Sequence, residues 1–175
     1  MNKYLMTSAL MLVASAAFAA ESVKTTVGHM CCGACKASAT AGVKKLDWVD
    51  GVAIDGTTVT ITAKVDQKVD LVGLLDALNK AGFPASELNV TGPVTLSVAH
   101  LCCAGCVNDL KAKLADVRSN KLDKQNIKID QAAKTVTLQP VAGETLNLVP
   151  LLHQMERTGF AASKGTLAGG AAATK

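Results

Sequence analysis

Apolar and polar residues alternate along this chain in two rhythms, and the whole sequence of rhythms occurs twice. From Val23 to His29 the alternation has period two, the pattern of a strand with one buried face. Cys35, Ala39, Val43 and Leu46 then stand at i, i+4, i+8 and i+11, one face of a helix. Val52 and Ile54, then Val59 and Ile61, return to period two on either side of an Asp55-Gly56 turn signal. Leu71, Leu74, Leu75 and Leu78 form a second helical stripe. Asp70 stands before it as an N-cap, and Gly82-Phe83 follows it, where a glycine suits a left-handed C-cap. An extended piece near Ala85 to Val90 completes the set.

The second copy starts at Val94. His29-Met30-Cys31-Cys32-Gly33-Ala34-Cys35 recurs as His100-Leu101-Cys102-Cys103-Ala104-Gly105-Cys106 at an offset of 71 residues, which also carries Ala39 onto Leu110, Val43 onto Leu114 and Leu46 onto Val117. The offset grows to 75 at Ile127 and Ile129 and to 77 at Val136 and Leu138, so repeat two has four extra residues before its hairpin and two within the turn. Insertions belong in loops, which supports these boundaries. At offset 77 the second stripe becomes Leu148, Leu151, Leu152 and Met155, with Asn147 as its N-cap, Pro150 in the first turn and Gly159-Phe160 at the end. A short extended piece near Ala161 to Lys164 follows.

Strand, helix, strand, strand, helix, strand, twice over, predicts an α+β chain of two tandem ferredoxin-like βαββαβ domains. Each would be a four-stranded antiparallel sheet with two helices on one face. The expected division is a signal peptide at 1–19, domains at 20–90 and 91–165, and a flexible tail at 166–175. Asn89 to Pro93 is a short link, which would keep the two domains close. A core of about 70 residues supplies only ~3–5 kcal/mol of stability, so a metal or a partner domain would add to it.

Composition changes this picture at the N-terminus. Met1 to Ala19 has Lys3 near its start, an apolar run from Leu5 to Phe18 and Ala17-Phe18-Ala19 as a small-x-small cleavage site. The run is short for a membrane span, and no later segment is apolar enough for one. A periplasmic or secreted protein without stable membrane insertion is expected. Removing nineteen of 175 residues leaves 156 and lowers the net charge from +4 to +3, too mild to imply a polyanionic partner. With aromatics at 3%, a nucleic-acid surface built on base stacking is excluded as well.

All six cysteines and two of the three histidines lie in the two seven-residue windows. A disulfide scaffold would spread its cysteines to close long loops, whereas any local bridge here closes a very short one and stabilises little. Adjacent cysteines bridge only with strain, and three per repeat leaves one unpaired. A metal fits better. His29 and Cys31 are two apart at a strand end, so their side chains can point the same way. Cys32 and Cys35 straddle a strand-to-helix turn, where backbone N–H groups and the helix dipole favour the thiolate. Two or three thiolates suit Cu(I), and Cys3His closes the tetrahedron that Zn(II) prefers. The candidate ligands are therefore His29, Cys31, Cys32 and Cys35, with His100, Cys102, Cys103 and Cys106, about one ion per domain. Cu(I) is preferred over Zn(II) because the loop should be exposed and open to exchange.

Met30-Cys31-Cys32-Gly33-Ala34-Cys35, followed after the second helix by Ala81-Gly82-Phe83, resembles the heavy-metal-associated domain family. Those are ferredoxin-like modules with a Met-x-Cys-x-x-Cys loop between first strand and first helix. The resemblance covers nearly all of the mature chain, twice. It implies transient soft-metal binding by Cys32 and Cys35 and by Cys103 and Cys106, in a metallochaperone, scavenger or buffer, or a sensor module of a transporter. The partners it implies are the metal ion and a membrane metal transporter or another metal carrier. This chain departs from the family pattern in Cys31 and Cys102, in His29 and His100, and in Leu101 where the methionine would stand.

The remaining residues attract plainer expectations. His153 falls off the leucine stripe and is expected at the surface, Met30 beneath the loop, Phe83 and Phe160 in the core, and Trp48 as a loop anchor. Lys36, Lys44 and Lys45 are expected on a solvated helix face. No acid–base pair, phosphate loop or Ser/His/Asp arrangement accompanies the thiols, so an enzyme is not expected. The competing readings are a thiol–disulfide redox protein using the CxxC pairs and a zinc-stabilised interaction domain.

Overall fold

The computed structural model describes residues 21–117, 120, 122 and 124–167. The expected signal peptide at 1–19 lies outside the described residues, as does the expected tail from residue 168 onward. Repeat one folds as β1 (Ser22–Val27), α1 (Gly33–Val43), β2 (Val49–Asp55), β3 (Thr58–Ala63), α2 (Leu71–Lys80) and β4 (Ala85–Val90). Repeat two gives β5 (Val94–Val98), α3 (Ala104–Ala115), β6 (Ile127–Asp130), β7 (Thr135–Leu138), β8 (Leu146–Asn147), α4 (Leu148–Arg157) and β9 (Ala162–Leu167), with a 3-10 turn at Lys124–Asn126 before β6. The strand orders are β2-β3-β1-β4 and β6-β7-β5-β9, all antiparallel, which is the ferredoxin-like arrangement in both repeats.

The alternation seen in the sequence is the burial pattern of the sheets. Val23, Thr25 and Val27 of β1 face inward, as do Val59, Ile61 and Ala63 of β3. Val94, Leu96 and Val98 of β5 and Val136 and Leu138 of β7 do the same in repeat two. Buried Thr25 is satisfied, its hydroxyl donating to the Glu87 carbonyl at 2.7 Å. The helices close the other side of each core with Ala39, Val43, Leu71, Leu74 and Leu78, and with Leu110, Leu114, Leu148, Leu151 and Met155. Trp48 is buried just before β2, and its indole N–H has no hydrogen-bond partner among the described residues.

Turn chemistry follows the sequence closely. Asp55 pairs with Thr58 across a two-residue turn in which Gly56 takes φ +54°. In repeat two Asp130 pairs with Thr135, two residues farther on, and Lys134 takes the left-handed position at φ +52°. Gly82 at φ +89° and Gly159 at φ +83° end α2 and α4. The Phe83 N–H then reaches back to the Leu78 carbonyl, and Phe160 N–H to Met155, in Schellman closures that turn each phenylalanine into the core.

Three features differ from the sequence reading. The first sheet is five-stranded, because β8 of repeat two pairs with β4 at Asn89↔Asn147 and Val90↔Leu146. The strand β9 extends through Thr166 and Leu167, which a tail beginning at 166 would have left loose; Leu167 is buried. Both first strands also stop short, β1 at Val27 and β5 at Val98, so His29 and Cys31, like His100 and Cys102, lie in the following loops rather than on strand ends.

The two repeats share one continuous apolar core. Helix α2 packs on β9, and α4 packs on β4, so each repeat's second helix covers the other's last strand. The helix caps reach across in the same way. Asp70 Oδ1 accepts from Gly73 N–H in its own helix at 3.2 Å and from Gly165 N–H of β9 at 3.1 Å. Asn147 Oδ1 accepts from Val149 N–H at 3.2 Å and from Leu88 N–H of β4 at 3.2 Å. These are equivalent positions in the two repeats, related by the offset of 77. Gly165 is needed where it stands: a Cβ there would lie 3.0 Å from Leu96 Cδ2 and 3.2 Å from Val72 Cγ2. Gly165→Ala is expected to cost ~1–3 kcal/mol by overpacking. The check is urea unfolding followed by Trp48, which lies in the other repeat. A Trp48 transition that moves with the substitution reports one cooperative body; one that stays in place reports two independent units.

Candidate metal centre

Each thiol loop is built by a strand that ends at a buried valine and a helix that begins two residues after the first cysteine. After Val27 the chain leaves the sheet through exposed Gly28 and His29 and half-buried Met30, and Cys31 and Cys32 come out exposed. Cys32 is the N-cap of α1 in extended conformation, φ −152° and ψ 171°, and Cys103 caps α3 with φ −150° and ψ 168°. Cys35 and Cys106 lie in the first turn, half-buried against the core. An N-cap and a residue three positions on face each other across the helix start, so the spacing of CxxC brings its two sulfurs together. Cys32 Sγ and Cys35 Sγ are 3.3 Å apart, and Cys103 Sγ and Cys106 Sγ 3.4 Å.

The third cysteine joins in both repeats. Cys31 Sγ is 3.5 Å from Cys35 Sγ, and Cys102 Sγ is 3.6 Å from Cys106 Sγ. All six thiols are free. The donor sets nevertheless differ. In repeat one Cys31, Cys32 and Cys35 gather with their sulfurs within 4.8 Å of one another. In repeat two the group within that distance is His100, Cys102 and Cys106. His100 Nε2 lies 3.6 Å from Cys102 Sγ, whereas the His29 ring rests against Phe83 with centroids 5.4 Å apart. Of the eight ligands expected from the sequence, six make up these two groups; Cys103 adjoins the second through Cys106 at 3.4 Å, and His29 stands apart on Phe83.

The helix start also distributes charge among the sulfurs. The Cys35 N–H, and then the Cys35 and Cys31 thiols, pull the Cys32 thiol below the usual range. The same arrangement at Cys106 and Cys102 lowers Cys103. The proton is pushed onto a neighbour: Cys35 is raised by the Cys32 and Cys31 thiols, and Cys102 by those of Cys106 and Cys103. Each loop thus places its most readily ionised sulfur at the N-cap with further sulfurs beside it, a soft and exposed donor set.

Other expected residues take plainer places. Phe83 and Phe160 are buried, and Met30 packs partly beneath its loop. Lys36, Lys44 and Lys45 are exposed, as is His153. His153 and Asp76 line a groove of about 490 Å³ between α2 and α4, with Val72, Leu75, Val149 and Leu152. Leu75 and Leu152 of the leucine stripes are therefore half-buried beside this groove rather than at the centre of the core, and none of the eight candidate ligands lines it.

Fold and site together define a ferredoxin-like metal-binding module with a thiol loop between first strand and first helix, present twice. Residues 24–84, which make up most of the first repeat, match the family model of the heavy-metal-associated domain. Repeat two has the same element order apart from the 3-10 turn before β6 and the short β8, and its own copy of the loop. No curated protein matches the chain. Among solved structures, the water-soluble region of the P-type ATPase CopA from Bacillus subtilis is similar over 84% of this chain and 90% of that one, at 19% identity and a TM-score of 0.37. The N-terminal soluble domains of Bacillus subtilis CopA are similar over 82% of this chain and 92% of that one, at 16% identity and a TM-score of 0.36. The family match and the thiol clusters support heavy-metal binding by this chain.

The charge distribution is testable by pulsed alkylation and peptide mapping across a pH series. Cys32 and Cys103 have lowered pKa values, so their labelling should reach half its maximal rate below the ~8.5 of an ordinary thiol. Cys35 and Cys102 are raised and should label only at higher pH. Equal profiles at Cys32 and Cys35 would contradict the assignment.

Proposed function

We propose that this chain is an exported, non-catalytic carrier or buffer of soft metal ions, Cu(I) above all, with one site per repeat. The observation that carries the reading is the pair of exposed thiol clusters at helix starts, each with its sulfurs already 3.3 to 3.6 Å apart. Thiolates select soft ions, and an exposed loop of few donors lets an incoming ligand approach before the outgoing one leaves. The acceptor or donor on this reading is a membrane metal transporter or another metal carrier, meeting the protein at the loop. Among the described residues no helix is long and apolar enough to cross a membrane.

Native mass spectrometry of the chain from Ala20 onward, purified under reducing conditions, tests this. The expected result is two Cu(I) per chain, and one after Cys32→Ser with Cys35→Ser. A reduced chain that retains no soft metal would overturn the reading. Export is checked separately by the N-terminus of protein recovered from the periplasm or medium, expected at Ala20.

The core is filled without the cysteines at its centre, so the metal is cargo rather than a structural staple. Chelation should therefore leave the far-ultraviolet circular dichroism unchanged. A zinc-structured interaction domain would unfold under the same treatment.

The close Cys32 and Cys35 sulfurs also favour a second reading, thiol–disulfide exchange in an oxidising compartment. Reduction of an insulin disulfide substrate at a rate above free thiol would support it over the carrier.

A further inference from the structure

The two loops share ancestry and a cysteine count, yet the structure brings a histidine to the sulfurs in only one of them. In repeat one the thiols of Cys31, Cys32 and Cys35 cluster alone. The histidine that precedes them is held on the Phe83 ring at 5.4 Å, tilted by 40°. In repeat two the equivalent histidine has moved to the sulfurs, with His100 Nε2 3.6 Å from Cys102 Sγ. It makes no ring contact among the described residues. Cys106 Sγ then bridges to Cys102 Sγ at 3.6 Å and Cys103 Sγ at 3.4 Å.

A sequence difference accompanies this divergence. The residue between histidine and first cysteine is Met30 in one loop, half-buried, and Leu101 in the other, 2% exposed. Leu101 is thus anchored deeper than Met30, and its loop is the one in which the imidazole lies against a thiol.

We propose that the two repeats carry non-equivalent ions. The first site holds its ion by thiolates alone, and the second closes a shell of three thiolates and the His100 imidazole. Three thiolates make a low-coordinate site suited to Cu(I). Three thiolates and an imidazole are the four-donor set of tetrahedral Zn(II); His100, Cys102 and Cys106 lie within 4.8 Å of one another, and Cys103 adjoins them through Cys106 at 3.4 Å. The second repeat is therefore the zinc-competent half of the chain. This rests on the reading that both loops bind metal, and it divides that reading between two ions.

Two half-site variants separate the repeats. Cys32→Ser with Cys35→Ser leaves the second site, and Cys103→Ser with Cys106→Ser leaves the first. Zn(II) affinity is measured in each by competition with a chromophoric chelator, with and without the histidine. Losing a direct ligand should cost at least the ~tenfold that losing an outer-shell partner does. His100→Ala should therefore weaken Zn(II) at the second site by that factor or more, and His29→Ala should leave the first site unchanged.

The otherwise intact chain gives an independent readout through Co(II) absorption. His100→Ala should shift the tetrahedral d–d bands, and His29→Ala should not. Equal losses from the two histidine substitutions, or none from either while both half-sites bind metal, would overturn the inference and leave the carrier reading standing. Half-sites that bind neither Zn(II) nor Cu(I) would overturn both.

Discussion

The structure depends on a single constraint: a unit of about 70 residues has too little interior to be comfortable alone. The chain meets it by fusing two such units through their second helices. Asp70 and Asn147 each cap a helix and, with the same carboxylate or amide oxygen, take an N–H from the last strand of the opposite repeat. The donors are Gly165 of β9, the edge strand of the second sheet, and Leu88 of β4, just short of Asn89 and Val90, the two residues of that strand that β8 pairs, so that it is locally an edge. Such edges would otherwise expose unpaired backbone. One side-chain atom thus satisfies a helix start and a sheet edge together, and it does so symmetrically. Asn120 strengthens the second junction, exchanging two hydrogen bonds with the Asn147 backbone at 2.7 and 2.8 Å.

Fusion at that end leaves the opposite features free. The interface uses α2, α4, β4 and β9, whereas the thiol loops join β1 to α1 and β5 to α3. Stability is therefore drawn from elements that carry no ligand. The loops can stay exposed, with Cys31, Cys32, Cys102 and Cys103 all open to solvent, without weakening the core. Only Cys35 and Cys106 touch the interior, and they do so from the first turn of a helix that Ala39 and Val43, or Leu110 and Leu114, already hold in place.

Much of this was legible in the sequence because it is local. Period-two and helical spacing, Asp70 and Asn147 as caps, and glycines at Gly82 and Gly159 are consequences of backbone geometry within a few residues, and the structure places all of them where expected. The two longer-range features were not legible. Leu146–Asn147 reads only as the lead-in to a helix, because nothing in two residues announces that their backbone will extend another repeat's sheet. Gly165 opens a stretch rich in glycine and alanine that has the composition of a tail, and its role comes from Leu96 and Val72, residues distant in sequence. The same limit applies at the site. Spacing alone brought Cys32 to Cys35 and Cys103 to Cys106. The departure of His29 toward Phe83 depends on a ring that lies 54 residues farther along the chain.

The loops gain their chemistry from a conflict between two ordinary preferences. A helix N-cap calls for an oxygen side chain, and neither Cys32 nor Cys103 completes a side-chain capping hydrogen bond. A thiol is a poor acceptor there and a thiolate a better one, so the unsatisfied N–H groups at the helix start favour the charged sulfur. The helix gives up part of a cap, and the sulfur gains a lowered pKa. A serine at Cys32 would reverse the exchange, improving the cap while removing the soft donor. Local helix stability and a soft sulfur donor therefore pull this position in opposite directions, and in both repeats the sequence keeps the sulfur.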